Sequence, residues 1–384
     1  MKLFEYYIKN KINPVPLNLK TTKKLKKHLL LRKNLIESHL KIPLPLLKNK
    51  KILEIGPNTG ENALLFAMHG CEITFIEPNP SSIDQLMKNF KKLNLYKSIK
   101  RIETKRFEDV SLKSKFDIVI AEGFLNTLKN RNVYLKKIIE LIDRKGLLII
   151  NHDDFYGSFF ELLKSNILKK ECQKKKVSLI GKKSYILSKN LFYNDYKLMK
   201  NTRPFSAYWK DQLASPFAGY IWKYSEILNV LSSLKMYFYS SSPLWFMESY
   251  FKWYKKFEIK KSFFKFINNK VNILYKSNLD YFLTGMMKKK VTMFPSKKIK
   301  ELDSLIKTLS QNLIRKIYKD VKFSNSYFKY NINDSNKALF NEINHILDFL
   351  NGKKLNINYK KLKNFRKLTG TNLHYLCLVK SNFY

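Results

Sequence analysis

Apolar and polar positions follow two rhythms along this chain, and the change between them divides it. From Lys50 to about Asn151, short apolar runs bounded by turn residues alternate with stretches of helical period. KILEI (51–55), CEITFIE (71–77), SIKRIETK (98–105), FDIVIAE (116–122) and GLLIINHDD (146–154) read as five strands, the last entered through Gly146. ENALLFAMHG (61–70), a segment capped by Ser81 or Ser82 and running to Leu93, and residues 130–144 read as the helices between them. Strand and helix in strict alternation predict an α/β fold with a doubly wound, mostly parallel sheet. FDIVIAE, apolar on both faces, belongs at its buried centre.

Residues 1–48 read as an N-terminal helical segment. Thr21 or Thr22 caps a Lys-rich helix to about Leu40, and the proline-bearing IPLPLL ends it. Such a helix is either a packing element or a lid. Residues 49–154 are the expected ligand-binding core, and 155–384 a substrate-recognition region with large helical insertions. Within that region 155–215 forms one insertion. SEILNVLSSLKMYFYSSSP predicts a helix followed by a strand at about 234–241, and GTNLHYLCLVK a strand at 373–380. Ser296 caps a helix to about Lys319, and Asp334 or Ser335 another to Leu350, ended by Gly352. Both late strands are expected to return to the core sheet, the alternative being an independent C-terminal helical domain.

Composition sharpens this only in part. Hydrophobic residues make up 45% of the 384, enough for a sizeable core. The 74 basic against 30 acidic residues give a formal charge of +44, which can mark a nucleic-acid or anionic-membrane surface. Here the excess is nearly all lysine, accompanies abundant Asn and Ile, and is spread along the whole length. That pattern reads as compositional drift, and arginine, the better phosphate and base reader, is scarce. Nucleic acid is therefore not the favoured partner. Cys71, Cys172 and Cys377 lack paired spacing, so neither a disulfide framework nor a metal site is indicated. No apolar stretch is long enough to span a bilayer and no secretory signal is visible, so the expected location is cytoplasmic, with peripheral lipid contact through the basic surface.

Candidate chemistry concentrates in KILEIGPNTG (51–60). A strand ending at Glu54 meets Gly56 and Gly60, and a helix follows, so a ligand can approach bare backbone there. The dinucleotide fingerprint wants a third glycine where Asn58 stands, and Glu54 would repel a diphosphate. An acid suits a cationic ligand, and Glu77, at the end of the next strand, can accept from both hydroxyls of a ribose. The order of acid, Gly, three residues, Gly and a later ribose-binding acid resembles the class I S-adenosylmethionine-dependent methyltransferases, over about 100 residues.

That resemblance implies S-adenosylmethionine as cofactor. Glu54, Gly56, Asn58 and Gly60 would face its methionine half and Glu77 its ribose. Phe107 and Glu108, after the third strand, would face the adenine, and Ala121 and Glu122 would flank the sulphonium. His152 and Asp153, after the fifth strand, are the candidate general base and its neighbour. Arg203, Trp209 and Asp211, in a segment dense in aromatics, are the candidate acceptor-binding residues. The nucleic-acid amino-methyltransferase motif is absent from AEGFLNTL (121–128), and no cysteine stands there for cytosine chemistry. The expected function is methyl transfer to a small-molecule, glycan or lipid-intermediate acceptor. The alternatives are an RNA-binding methyltransferase-like protein and a non-catalytic cofactor-binding module.

Overall fold

The computed structural model describes residues 3–9, 22–128, 130–199, 204–215, 221–244, 283, 296–310, 334–368 and 373–380. They fall into two compact units. The first takes its residues from 1–152, 224–269 and 373–384, the second from 153–223 and 270–372.

The first unit holds the sheet. Its strands are β1 (Lys51–Ile55), β2 (Glu72–Ile76), β3 (Ile99–Glu103), β4 (Phe116–Ala121), β5 (Ile142–Asp153, whose last residue opens the second unit), β6 (Met236–Ser242) and β7 (Leu373–Lys380). They lie in the order β3-β2-β1-β4-β5-β7-β6. The pairs β1–β2, β1–β4, β2–β3 and β4–β5 are parallel, and β6–β7 is antiparallel. The sheet is thus the doubly wound, mostly parallel one the apolar rhythm predicts. Consecutive residues Ile52–Ile55 of β1 and Ile118–Ala121 of β4 are buried, as in central strands covered on both faces. On one side Ile52, Ile73, Phe75 and Ile118 pack with Leu64, Phe66, Leu86 and Phe90 of the helical segments. Phe75 and Phe90 meet edge to face at 5.7 Å. Each such side chain is worth about 1.5–3 kcal/mol of burial.

Several boundaries move, each for a local reason. The helix predicted from Ser81 or Ser82 begins at Pro80 and is capped by Asn79, whose side chain accepts from Ser81 N at 3.2 Å. Proline in the first helical turn loses no needed donor there, which favours the earlier start. The helix expected over 130–144 ends at Glu140, and β5 starts at Ile142, ahead of Gly146. Between Ile142 and Leu147 the pairing with β4 shifts register, and Lys145 takes a left-handed backbone at φ 62°. The N-terminal helix runs Thr22–Lys33 and continues as a wider turn over Asn34–His39. Only Leu64–Met68 of the 61–70 segment is regular helix.

The second unit is helical. Helix Phe159–Lys174 is buried nearly all round at its N-terminal half and packs against helices Ser296–Ser310 and Asp334–Asn351 and the turn Trp209–Leu213. The predicted continuation of the 296 helix beyond Ser310 lies outside the described residues, as does Arg203. Among the described residues, no helix is long and apolar enough to cross a membrane.

Candidate cofactor site

The carboxyl ends of β1, β2 and β4 come together in the first unit, where ligands of open parallel sheets bind. The two glycines after β1 have different reasons. Gly56 is exposed at φ +70°, and a side chain there would meet only Phe124, at 4.0 Å, so its bare backbone faces open space. Gly60, at φ +76°, is buried, and a Cβ would stand 2.8 Å from Leu86 Cγ. Glycine at 60 therefore lets helix Pro80–Lys92 close on the turn.

Glu77 directly follows β2 at 5% exposure. Its two oxygens accept from Asn58 N at 2.9 Å and Asn79 N at 3.0 Å. One bond to each oxygen leaves each a further lone pair, so the carboxylate can take two vicinal hydroxyls side by side. Burial raises its pKa and the two N–H bonds oppose that rise.

Glu54 is 3% exposed and its Oε2 has no partner. Burial, then the nearby Glu122, pushes its carboxyl up to about 8, with Arg32 opposing. Glu122 is instead fully engaged. Arg32 donates both terminal nitrogens to it, one at 2.9 Å, and Asn62 Nδ2 adds a bond at 3.1 Å. Tyr375 Oη lies 3.5 Å from the same carboxylate. Ala121, beside it, is wholly buried. Of the two acids expected near the positive end of the cofactor, Glu54 is the one with an acceptor to spare.

After β3, Phe107 is buried and its ring meets Phe124 at 5.6 Å and Tyr134 at 6.4 Å. Lys137 Nζ lies 5.0 Å over the same ring and donates to the carbonyls of Phe107 and Glu108. The Glu108 side chain is exposed. An aromatic wall next to the Gly56 turn suits a flat heterocycle.

The remaining candidates stand in other surroundings. His152, near the end of β5, has no exposure, and neither ring nitrogen has a hydrogen-bond partner. Tyr224 packs edge-on at 4.8 Å and His374 at 5.5 Å. Burial first, then His374 and Arg131, holds its pKa well below the usual histidine range, so it stays neutral. Asp153 is half-buried in the second unit, where its carbonyl accepts from Trp222 N at 2.9 Å. In that unit Trp209 is 5% exposed with its Nε1 unpartnered, and its ring lies against Tyr185 at 5.2 Å. Asp211 is half-buried.

Arg32, Asn62 and Tyr375, which meet Glu122, and Phe124, beside Gly56, are residues that the sequence did not single out. One signal for Arg32 was present: it is the lone arginine in a helix of lysines, TKKLKKHLLLRK.

A family model described as a methyltransferase domain matches residues 28–165. No curated protein matches the sequence. Among solved structures, coclaurine N-methyltransferase bound to N-methylheliamine and SAH is 19% identical, with 33% of this chain and 36% of that one covered, at a TM-score of 0.29. PKMT2 from Rickettsia typhi in complex with AdoHcy is 11% identical over 92% and 53%, at 0.45. The N-methyltransferase NodS from Bradyrhizobium japonicum WM9 with SAH is 17% identical over 39% and 73%, at 0.31. The chain thus spans about a third of the first of these and about half of the second. Residues 28–165, which hold β1–β5 and the acids Glu54, Glu77 and Glu122, are thus similar to a methyltransferase domain.

Proposed function

We propose that the whole chain is a cytoplasmic methyltransferase that moves the methyl group of S-adenosylmethionine to a small-molecule, glycan or lipid-intermediate acceptor. The observation that carries this reading is the buried, under-satisfied acid set at the carboxyl ends of β1 and β2. Glu54 keeps a free acceptor and Glu77 keeps a free lone pair on each oxygen, which fits a cation joined to a ribose. Bound there, the sulphonium would supply a methyl ready for displacement, the acceptor's lone pair forming the new bond as the C–S pair returns to sulphur. What the chain does is hold and orient. Glu77 fixes the ribose, the exposed backbone of Gly56 admits the ligand, and Phe107 with Phe124 walls the heterocycle. Alignment of this kind can supply much of the acceleration. His152 is buried and neutral here, so the reading draws no proton-transfer step through it.

The acceptor-binding part of the proposal rests on Trp209 and Asp211 in the second unit, together with Arg203 by sequence alone. Transfer of labelled methyl from S-adenosylmethionine into metabolite and glycolipid extracts tests it. Label in a small or lipid-linked product is the expected result, and label in RNA alone would replace the acceptor class. In the same assay Glu77→Gln, which retains one of the two acceptor oxygens, weakens cofactor affinity on the order of 10- to 100-fold. Unchanged affinity would remove the ribose assignment.

A further inference from the structure

The helix Thr22–Lys33, TKKLKKHLLLRK, contains no acidic residue and divides into two faces. Leu25, His28 and Arg32, three and four residues apart, are buried in the first unit, and Leu25 belongs to its apolar core. The opposite face carries Lys23, Lys24, Lys26, Lys27 and Lys33, all exposed. Lys33 pairs with Glu37 at 3.6 Å, and among the described residues the other four have no acidic partner. Within this basic face stand Leu30, 67% exposed, and Leu31, 49% exposed. Leu30 has Lys26, Lys27 and Lys33 three or four positions away, and Leu31 has Lys27. The other exposed large apolar side chains described stand singly along the chain, whereas these two are adjacent and ringed by cations.

Lysine enrichment is general in this chain and by itself identifies no partner. The two leucines change that. A helix face that meets only water gains nothing from adjacent leucines. An interfacial helix sets them at the acyl boundary and lets the flanking lysines reach up to lipid phosphates. We propose that the outer face of Thr22–Lys33 docks the protein on an anionic phospholipid bilayer. Leu30 and Leu31 enter the headgroup region, and the lysines contact the phosphates. A polynucleotide would suit the lysines only. Its phosphate backbone offers the leucines no apolar surface, and the one arginine of the helix, the better phosphate and base reader, is turned into the core. Pinned through its buried face, the helix docks as a preformed element and loses little ordering entropy. The inference concerns this face alone and is independent of the methyltransferase reading.

Flotation of the full chain with vesicles tests this, using phosphatidylcholine alone and an equimolar mixture with phosphatidylglycerol. The wild type should float with the mixed vesicles and not with phosphatidylcholine alone. A formal charge of +44 draws the chain to any anionic surface, so variants that leave the charge unchanged decide the matter. Leu30→Gln with Leu31→Gln preserves helix propensity and should weaken affinity for the mixed vesicles about 10- to 100-fold. Leu30→Phe should retain it. Leu355→Gln, which removes a side chain 82% exposed from the second unit, should leave it unaltered. Lys26→Gln should weaken it about fivefold, and by less as salt rises. Unchanged affinity in the double leucine variant overturns the proposal, and so does an equal loss in Leu355→Gln. If the double leucine variant keeps vesicle binding but loses affinity for single-stranded RNA, the face belongs to RNA instead. If it keeps vesicle binding but changes oligomeric state, the face is an interface between copies of this chain.

Discussion

Both units bury charged side chains, and they treat them in opposite ways. In the second unit Glu161 accepts from Lys164 at 3.3 Å and from the Tyr208 hydroxyl, and Lys164, with no exposure, also donates to the Leu368 carbonyl at 3.2 Å. Asp195 is bound by Tyr359 at 2.6 Å and Arg366 at 3.0 Å. Asp154 takes the backbone N–H of Tyr156 and Gly157. The orphaned buried atoms described in that unit are neutral: Asn166 Oδ1, Ser188 Oγ, Trp209 Nε1 and Asn351 Oδ1. In the first unit Glu122, Arg32, Glu61 and Glu77 all act on the buried Glu54, and Glu54 and Arg32 themselves carry orphaned atoms. Fully answered charges hold helices together. Buried atoms left unpaired call for a reason other than helix packing.

The largest test of that contrast removes one member of the answered set. Lys164→Met should strand Glu161 in the helical unit and cost about 3–5 kcal/mol of stability. Urea denaturation measures the loss, and affinity for S-adenosylmethionine in the folded variant should not change. A cost below about 1 kcal/mol would mean that the buried pair is not holding the helices, and the contrast would collapse.

The second test removes an unanswered carboxyl group. Glu54→Gln should weaken the cofactor about tenfold, because a neutral amide replaces an ionic acceptor. It should also abolish a proton signal. With its carboxyl pushed up to about 8 among Arg32, Glu61, Glu77 and Glu122, Glu54 carries a proton at pH 7 until a cation displaces it. Binding to the wild type should therefore release about one proton, read from the buffer dependence of the binding enthalpy. The sign for stability follows from the same shift. The unfolded carboxyl titrates near its ordinary value and the folded one higher, so the folded state holds more protons in between. Stability is greatest below the ordinary carboxylate range and is lost as pH rises towards 8, a slope that Glu54→Gln should flatten. Proton release that survives in the variant would assign the titration to another group.

The strands were legible because continuous apolar runs such as FDIVIA have no other home than a doubly covered sheet. The strand-end positions of Glu54, Gly56 and Glu77 were legible because each stands in or just past an apolar run. Arg32 was not, because its partner Glu122 lies 90 residues on and its helix reads as a solvated lysine face. Tyr375 was hidden in the same way. Its strand could be foreseen from LHYLCLVK, but its approach to Glu122, 253 residues away, depends on where β7 joins the sheet. Gly60 shows the reverse limit. Its spacing suggested ligand contact, and the structure adds a packing reason, the close approach of Leu86.

His152 offers the smallest and sharpest test, because it is unanswered yet carries no charge. The imidazole is enclosed by Tyr224 and His374, with Arg131 acting from a further element, and all of these disfavour or fail to support its protonation. His374 is itself tied to the Tyr224 hydroxyl at 2.9 Å. The folded pKa lies well below 6.5 and the unfolded value near it, so the unfolded chain takes up a proton first as pH falls. The contribution to stability is present above pH 6.5 and drains away below it, by about 1.4 kcal/mol per pH unit for one group. His152→Phe keeps an aromatic ring against Tyr224 while removing the titration. Comparing urea denaturation at pH 5.5 and 7.5, the wild type should lose roughly 1 kcal/mol more than the variant. An equal loss in both would mean that His152 reaches solvent and titrates normally, which would return it to the role of general base that its place at the end of β5 suggests.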